Sequence, residues 1–202
     1  MKFRNISILA AMSLALAATP ALADDHPEDF AQYGVSLGGS PFGGSASFVY
    51  NVNKKTSYLF TFGGAAGGSL DLEIGGNDYT VKSSSAWTGV FLNHRPIDSA
   101  EWFRLVAGLG IGSIENELEG ESGKVFQADY NENPVGYSGL GFGFDTSKGF
   151  QWGVDIGLLF TSGSEVRQVA GDVDVAATED IADFFLFGNV LPNFQLTLGW
   201  GF

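Results

Sequence analysis

Side chains able to carry out hydrolysis are scarce in this sequence. It contains two histidines, His26 and His94, and no cysteine. A serine nucleophile needs a histidine base oriented by an acid, but His26 lies in the amino-terminal tail and His94 lies in a short segment before Pro96. We therefore expect no catalytic residues and predict that His94 caps a turn. The lack of cysteine also excludes disulfides and thiolate metal sites.

Acidic side chains are the candidate ligands for a hard metal ion. They are dense in two stretches, which contain Glu115, Glu117, Glu119 and Glu121, and then Asp172, Asp174, Glu179, Asp180 and Asp183. Carboxylates bind Ca²⁺ and Mg²⁺, but neither stretch has the glycine-punctuated spacing of a calcium loop. We expect solvated acidic surfaces, with no metal and no cofactor.

Two glycine-rich runs superficially suggest phosphate-binding loops. Residues 108–112 and 139–143 carry glycine at every second position. A dinucleotide-binding loop has a different spacing and opens a helix, and no helix-forming run follows either segment. Glycine with a period of two indicates instead one face of a β-strand.

The elements that carry these residues are predicted strands, because large apolar and small residues alternate over long segments. In residues 194–202, for example, Phe194, Leu196 and Leu198 alternate with Gln195 and Thr197. Similar alternation runs through residues 33–37, 46–52, 58–62, 103–111, 140–144 (with Phe144 on the apolar face) and 150–160. The stretch 79–93 has less distinct faces, and we expect its Val81, Trp87 and Phe91 to point outward and its Lys82 inward. Eight strands result.

The second face of these strands decides between a soluble and a membrane protein. Soluble strands normally carry charged residues on the face that meets water, whereas here that face is rich in glycine and almost uncharged. Small residues fit the narrow lumen of an eight-stranded barrel, and the bulky face then meets lipid. The sequence predicts an all-β fold, a closed eight-stranded antiparallel up-and-down transmembrane β-barrel. The alternative is a soluble lipocalin-like barrel with its bulky faces inward.

The connections between the predicted strands support this topology. Those after the second, fourth and sixth strands are short, whereas the segments 67–78, 115–133 and 162–188 are long enough to be outer loops. Short periplasmic turns that alternate with longer outer loops are typical of outer-membrane barrels. Only the first connection, residues 39–44, is shorter than this rule requires.

Arg104 and Asp155 are charges on the predicted lumen face of strands that otherwise carry small residues there. A charge enclosed in a narrow lumen needs a partner, because desolvation costs several kcal/mol per ion. We predict that these two side chains contact each other, or form a network with Lys82 or Gln151, as a structural plug. A transport role for the same charges is the alternative.

The amino-terminal end of the chain has the pattern of a targeting signal. Lys2 and Arg4, an apolar stretch over residues 6–18 and an Ala-Leu-Ala ending at Ala23 have the pattern of a secretory signal peptide. We expect a signal peptide over 1–23, a periplasmic tail over 24–32 and a single barrel domain over 33–202.

The formal net charge of −13 argues against nucleic acid as a partner, because phosphate binding needs clustered Lys and Arg.

Several segments resemble the small eight-stranded outer-membrane β-barrel proteins of proteobacteria, of the OmpA/OmpW-like kind. The similar segments are residues 93–96 with 103–108, 148–160 and 180–184. The resemblance implies a monomeric barrel in the outer membrane of a Gram-negative bacterium, and it implies that Phe202, with Trp200 two residues before it, is the signal recognised by the barrel assembly machinery. It transfers no catalytic residue, and the acidic 165–190 region departs from the family.

Three functions are consistent with this reading. The first is a structural or surface-interaction barrel that contacts outer-membrane lipid and lipopolysaccharide and presents acidic loops. The second is a narrow, porin-like channel for small solutes or ions. The third, an outer-leaflet lipid-modifying enzyme, lacks a histidine in the right place.

Overall fold

The computed structural model describes residues 29–130 and 134–202. Its elements are β1 (Tyr33–Ser40), β2 (Gly43–Asn51), β3 (Thr56–Ile74), β4 (Asn77–His94), β5 (Phe103–Gly120), a 3-10 turn (Glu121–Gly123), β6 (Val125–Tyr130), β7 (Val135–Gly143), β8 (Gly149–Phe160), β9 (Glu165–Ala170), α1 (Val175–Asp183) and β10 (Val190–Gly201). The predicted signal peptide and the first part of the predicted tail lie outside the described residues. Within these residues, no helix is both long enough and apolar enough to cross a membrane.

Eight of the strands form a closed antiparallel ring. Neighbours in the ring follow the order β1, β2, β3, β4, β5, β7, β8 and β10, and β10 pairs with β1 to complete it. Closure gives every strand two partners, so the ring leaves no unpaired edge. The predicted all-β, closed eight-stranded, up-and-down antiparallel barrel is confirmed.

Both described ends of the chain lie at one end of this barrel. The Tyr33 N–H donates to the Phe202 carbonyl at 3.0 Å, and the Phe202 N–H donates to the Tyr33 carbonyl at 2.8 Å. We call this end the turn end, because the connections after β2, β4 and β7 there are short. The opposite end, where the long connections lie, is the loop end.

The outer face of the ring is apolar and the inner face is polar or small. Leu37 and Phe62 are each 68% exposed and Phe150 is 64% exposed, all on the outside. Thr61 and Thr197, which alternate with such residues, are buried inside. The predicted facing therefore holds for β1, β2, β3, β8 and β10, and for the part of β5 within the ring.

The predicted facing of β4 was wrong. Val81, Trp87 and Phe91, which we expected outside, all point inward, because Trp87 and Phe91 line the lumen and Val81 is only 5% exposed. Lys82, which we expected inside, lies on the outer face and binds the Glu119 carboxylate there.

Lumen glycines explain why two large rings fit inside so narrow a barrel. A Cβ at Gly63 would lie 2.3 Å from the Trp87 ring, and a Cβ at Gly108 would lie 2.3 Å from the Phe91 ring. Contacts this short are impossible, so the missing side chains of neighbouring strands leave the space that the two aromatic rings fill. The polarity pattern of β4 alone could not show that glycines on neighbouring strands leave room for its large side chains.

The chain also builds a second structure at the loop end, which we call the dome. It consists of β3 after residue 65, of β4 up to residue 85, of β5 after residue 112, and of β6, β9 and α1. β5 pairs with β7 as far as Gly110 and with β6 from Ile114 onward. Gly75 and Gly76, at φ values of 59° and 78°, connect β3 to β4 in a two-residue turn of the kind that requires positive φ at both positions.

The dome encloses an apolar core, to which the segment before β10 and the start of β10 also contribute. Its buried members are Ile74, Tyr79, Val81, Leu118, Phe126, Ala128, Tyr130, Ala177, Ile181, Phe187 and Leu191. The long connections predicted at 67–78, 115–133 and 162–188 do lie at the loop end, but they are not irregular loops, because the described part of each contains strand residues and the third also contains α1.

Candidate functional site: the barrel lumen

The buried ion pair of the lumen lies in one row across three strands. Arg104 on β5 pairs in register with Gly141 on β7, and Gly141 pairs with Asp155 on β8. A Cβ at Gly141 would lie 2.5 Å from Asp155 Oδ1, so this position must be glycine for the arginine to reach across. Arg104 Nη2 donates to Asp155 Oδ1 and Oδ2 at 2.9 and 2.8 Å.

This pair is enclosed and has further partners. The side chains of Arg104 and Asp155 are 2% and 13% exposed. Arg104 Nη1 donates to the Gly143 carbonyl, and the guanidinium lies 5.8 Å from the centre of the Phe144 ring. The expected contact between the two charges is thus present.

Lys82 takes no part in that network. It lies in the dome, where its Nζ binds Glu119 and is 3.9 Å from Glu117 Oε1. Gln151 does lie inside the barrel, where its amide donates to the Ser147 carbonyl at the turn end instead of meeting the ion pair. Within the part of the chain that the structure describes, neither residue joins the Arg104–Asp155 pair, so this alternative was wrong.

Phe144 closes the lumen at the turn end, although we expected it to point outward. It is the one described non-glycine residue with positive φ, at 55°, and this conformation turns the ring under the barrel, where it is 5% exposed. A Cβ at Gly199 would lie 2.7 Å from the ring, so the closing strand also makes room for it. The reversal occurs where β7 ends, which strict alternation cannot anticipate.

Arg95 is a second buried arginine at the turn end, and the sequence analysis missed it. It is 2% exposed; Nη1 donates to Ser57 Oγ at 3.0 Å and Nη2 donates to the Phe144 carbonyl at 2.7 Å. It therefore holds the Phe144 backbone in the lumen. A charge in a short turn is normally solvated, so its sequence gave no signal of burial.

The amino-terminal segment covers the same opening. Phe30 and Ala31 are 6% and 0% exposed. The Ala31 N–H donates to the Thr146 carbonyl at 2.8 Å, and Asn51 Nδ2 donates to the Ala31 carbonyl at 2.6 Å. Part of the predicted periplasmic tail is thus a folded component of the barrel. Together with Phe144, Arg95, Arg104 and Asp155 it forms what we call the base plug.

A cavity of about 120 Å³ lies above the base plug. Its lining runs from Arg104 and Asp155 to Phe42 and Tyr130, beneath the dome. The wall is mostly apolar, with Trp87 and other large side chains between small polar ones. The lumen is therefore divided into a base plug, a cavity and the dome above it.

The remaining candidate residues lie at the two ends of the molecule. His94 Nδ1 is 3.3 Å from Thr56 Oγ1, across the turn-end rungs of β3 and β4. Trp200 and Phe202 are 56% and 53% exposed on the outside, and the Phe202 ring contacts that of Tyr33, with their centres 6.4 Å apart.

The acidic residues lie on the outer face of the dome. Glu115, Glu117 and Glu119 alternate with the buried Asn116 and Leu118 along β5. Within the described ranges, no group of three or more histidine and acidic side chains is arranged to hold a metal ion.

Together these features define the class: a small closed β-barrel with a plugged lumen and a folded dome at one end. Among solved structures, it is similar to the crystal structure of Acinetobacter baumannii CarO, with a TM-score of 0.66 and 15% identity over 85% of this chain and 98% of that one. It is similar also to Acinetobacter baumannii CarO2, with a TM-score of 0.66 and 14% identity over 87% of this chain and 100% of that one. At such identities the likeness shows a shared fold. No protein-family model and no curated protein sequence matches the chain.

Proposed function

We propose that this chain is an integral outer-membrane β-barrel protein of a Gram-negative bacterium. The observation that carries the proposal is the belt of large apolar side chains on the outer face of the ring, such as Leu37, Phe62 and Phe150. Exposed apolar patches of this extent are rare on soluble monomers and favour a lipid environment. Closure of the ring supports the same conclusion, because hydrocarbon cannot satisfy an open sheet edge.

The role that the geometry supports best is structural or one of surface interaction, without an open pore and without catalysis. The base plug fills the turn end of the lumen. At the loop end, Tyr130 Oη lies 3.2 Å from the carbonyl oxygens of both Leu186 and Gly188, so its single O–H shares its hydrogen bond between them and fixes the dome to the segment before β10. Two independently built closures favour a barrel that keeps the membrane sealed.

The partners follow from the two surfaces. The apolar belt would contact outer-membrane lipid, the acidic dome would lie among lipopolysaccharide head groups or the molecules of another surface, and the exposed Phe202 strand would be read by the assembly machinery. We propose a monomer, and we propose no nucleic acid partner, because the outer face of β5 in the dome is acidic.

A narrow channel for small solutes or ions is the alternative, and the cavity above the base plug is the observation that favours it. A channel would need the base plug to move, whereas a structural barrel would not.

Planar-bilayer conductance of the refolded protein distinguishes these two functions. Insertion is verified first by heat-modifiable gel mobility. We expect correctly inserted protein to give no stable current steps. Reproducible current steps whose ion selectivity changes in the Asp155→Asn variant would contradict the closed barrel, because the ions would then pass through the lumen. Current steps that are the same in the wild type and in Asp155→Asn would be insertion defects. A chain that fractionates away from the outer membrane and shows no heat-modifiable form would contradict the membrane assignment itself.

A further inference from the structure

The lumen cavity has the size and walls of a binding site for a small molecule. Its volume is about 120 Å³, and its wall includes Leu59, Trp87, Phe91, Val106 and Tyr137. The Phe91 and Tyr137 rings meet edge to face with their centres 5.7 Å apart. An apolar protein cavity of about 150 Å³ is known to hold a benzene molecule. One six-membered ring is therefore the scale of occupant that this space admits.

Three buried side-chain atoms beside this cavity have no hydrogen-bond partner in the described protein. They are Ser36 Oγ, Arg104 Nε and Asn193 Oδ1, in residues that are 6%, 2% and 8% exposed and that all line the cavity. Buried polar groups are almost always hydrogen-bonded, so unpaired ones next to an open volume indicate a missing partner. The cavity thus combines an apolar wall with unused polar capacity.

The charges around the cavity argue for a neutral occupant. The Arg104 guanidinium is already bound by the Asp155 carboxylate, and its Nη1 donates to the Gly143 carbonyl. For an anion, the charge of Arg104 is therefore already neutralised by Asp155. For a cation, the charge of Asp155 is already neutralised by Arg104. Neither charge would be compensated, because, among the described residues, Arg104 and Asp155 are the only charged side chains that line the cavity and they already pair with each other.

We propose that the cavity binds a small neutral molecule with one aromatic ring and one hydroxyl group, of the phenol class. The ring lies among Trp87, Phe91 and Val106, where edge-to-face contacts are available. The hydroxyl group, which can both donate and accept a hydrogen bond, supplies a partner for one of the unpaired polar atoms, and we assign that partner to Ser36 Oγ. This site is distinct from a structural role in the membrane and does not depend on conduction.

Fluorine NMR of the protein in lipid nanodiscs tests this assignment, with 4-fluorophenol as the probe. The protein is refolded with the probe present, so that slow entry into the closed barrel does not mask binding. Empty nanodiscs report the probe dissolved in lipid. We expect an additional, saturable resonance from the barrel, weaker for fluorobenzene, which lacks the hydroxyl group, and absent for 4-fluorobenzoate, which is an anion.

Three variants connect the signal to the cavity. Val106→Phe fills it and should abolish the resonance. Ser36→Ala removes one hydrogen-bonding group and should weaken binding about threefold to tenfold. Ser45→Ala is the matched control, because Ser45 faces the lumen on β2, next to Gly38, outside the cavity lining. Native heat-modifiable mobility is required of each variant.

Several outcomes would overturn the proposal. A resonance equal to that of empty nanodiscs would show that the cavity holds water only. Saturable binding that survives in Val106→Phe would place the probe elsewhere. Tighter binding of 4-fluorobenzoate than of 4-fluorophenol would refute the assignment of a neutral ligand.

Discussion

The barrel and the dome share strands but have opposite polarity, and β5 shows the change within one element. In the ring, Leu105 and Ile111 are 43% and 53% exposed on the outside while Arg104 is buried inside. In the dome, Glu117 lies on that same outer side and Leu118, on the inner side, is fully buried. The backbone faces do not change between the two regions. What changes is the solvent that each region is built for.

Different interactions stabilise the two regions. In the dome, burial of apolar side chains is favourable in the ordinary way for a protein in water. In the ring, apolar side chains face outward and the lumen is held by hydrogen bonds, an ion pair and close packing on glycine. The same type of substitution should therefore have different effects in the two regions.

The largest effect is expected at the ion pair of the lumen. Arg104→Ala leaves the Asp155 carboxylate enclosed without its partner, which should cost about 3–5 kcal/mol of unfolding free energy. Urea titration of the barrel in lipid vesicles measures this loss. The control is Arg104→Met with Asp155→Leu, which removes both charges and should recover most of the stability. A single variant as stable as the wild type would contradict the structural plug.

The next effect compares two leucines on β5. Leu118→Ala removes a fully buried side chain from the dome core and should destabilise the dome by about 2–5 kcal/mol. Leu105→Ala is the matched control, because Leu105 is 43% exposed on the outside of the ring. Hydrogen exchange should increase in β6 and α1 for the first variant and little for the second. Equal exchange in both would mean that the dome has no separate core.

A lysine introduced on the outer face of β5 should have different effects in the ring and in the dome. Leu109→Lys should cost about 2–4 kcal/mol if the position meets the middle of the bilayer. Glu117→Lys, eight residues further along the same face, should change stability by about 0.5 kcal/mol or less, as surface substitutions usually do. Folding yield and urea stability in vesicles measure both. A larger loss for Glu117→Lys would reverse the comparison.

The smallest effect concerns the ion pair that fastens α1 to the dome. Lys124 Nζ donates to Asp174 Oδ2 at 2.8 Å, and Asp174 Oδ1 accepts the Ala177 N–H at 3.0 Å as the helix cap. The hydrogen bond from Lys124, and then that from Ala177, lowers the pKa of Asp174. The hydrogen bond to Asp174 raises the pKa of Lys124.

The pH dependence follows from these directions. The lowered pKa of Asp174 stabilises the dome above the carboxyl's ordinary value of about 3.9, and this contribution is lost as pH falls through the folded pKa. The Lys124 contribution is full below its ordinary pKa of about 10.4 and is lost as pH rises above that value. The protection factors of α1, which are intrinsic exchange rates divided by the measured rates at the same pH, should therefore fall at both extremes.

The two contributions of Asp174 separate in a pair of variants. Asp174→Asn keeps a good capping side chain and loses the charge, whereas Asp174→Ala loses both. We expect exchange in α1 to be faster in the alanine variant than in the asparagine variant. Equal rates would mean that the cap contributes nothing.

Much of the fold could be predicted because it depends on one local rule. Alternation of large apolar with small residues identified the eight ring strands and brought Arg104 and Asp155 to one face. It failed on β4, where Trp87 and Phe91 point inward because glycines on neighbouring strands leave room for them. That depends on pairing between distant segments, which a single strand does not show.

The strands of the dome could have been predicted from the same alternation, with polar residues on the outer face and apolar residues on the inner face. Glu115, Glu117 and Glu119 have the period of a strand, but we interpreted them as an acidic loop because their polarity opposes that of the ring. Two members of the base plug, Arg95 and Phe144, had no such signal. Arg95 lies in a turn, and Phe144 enters the lumen through a positive φ, which no pattern of polarity shows.

The central claim is that the ring lies in the membrane and the dome lies outside it. It is tested most directly by locating the position along β5 at which the outer face passes from lipid to water. The sequence has no cysteine, so single cysteines at the outward positions 105, 107, 109, 111, 113, 115, 117 and 119 can be spin-labelled one at a time. We predict that the labels at 105–111 are accessible to oxygen in the bilayer and those at 115–119 to a water-soluble nickel complex, with the change near 113. Nickel access at 109, or a lipid-exposed label at 117, would contradict a barrel in the membrane with a dome outside it.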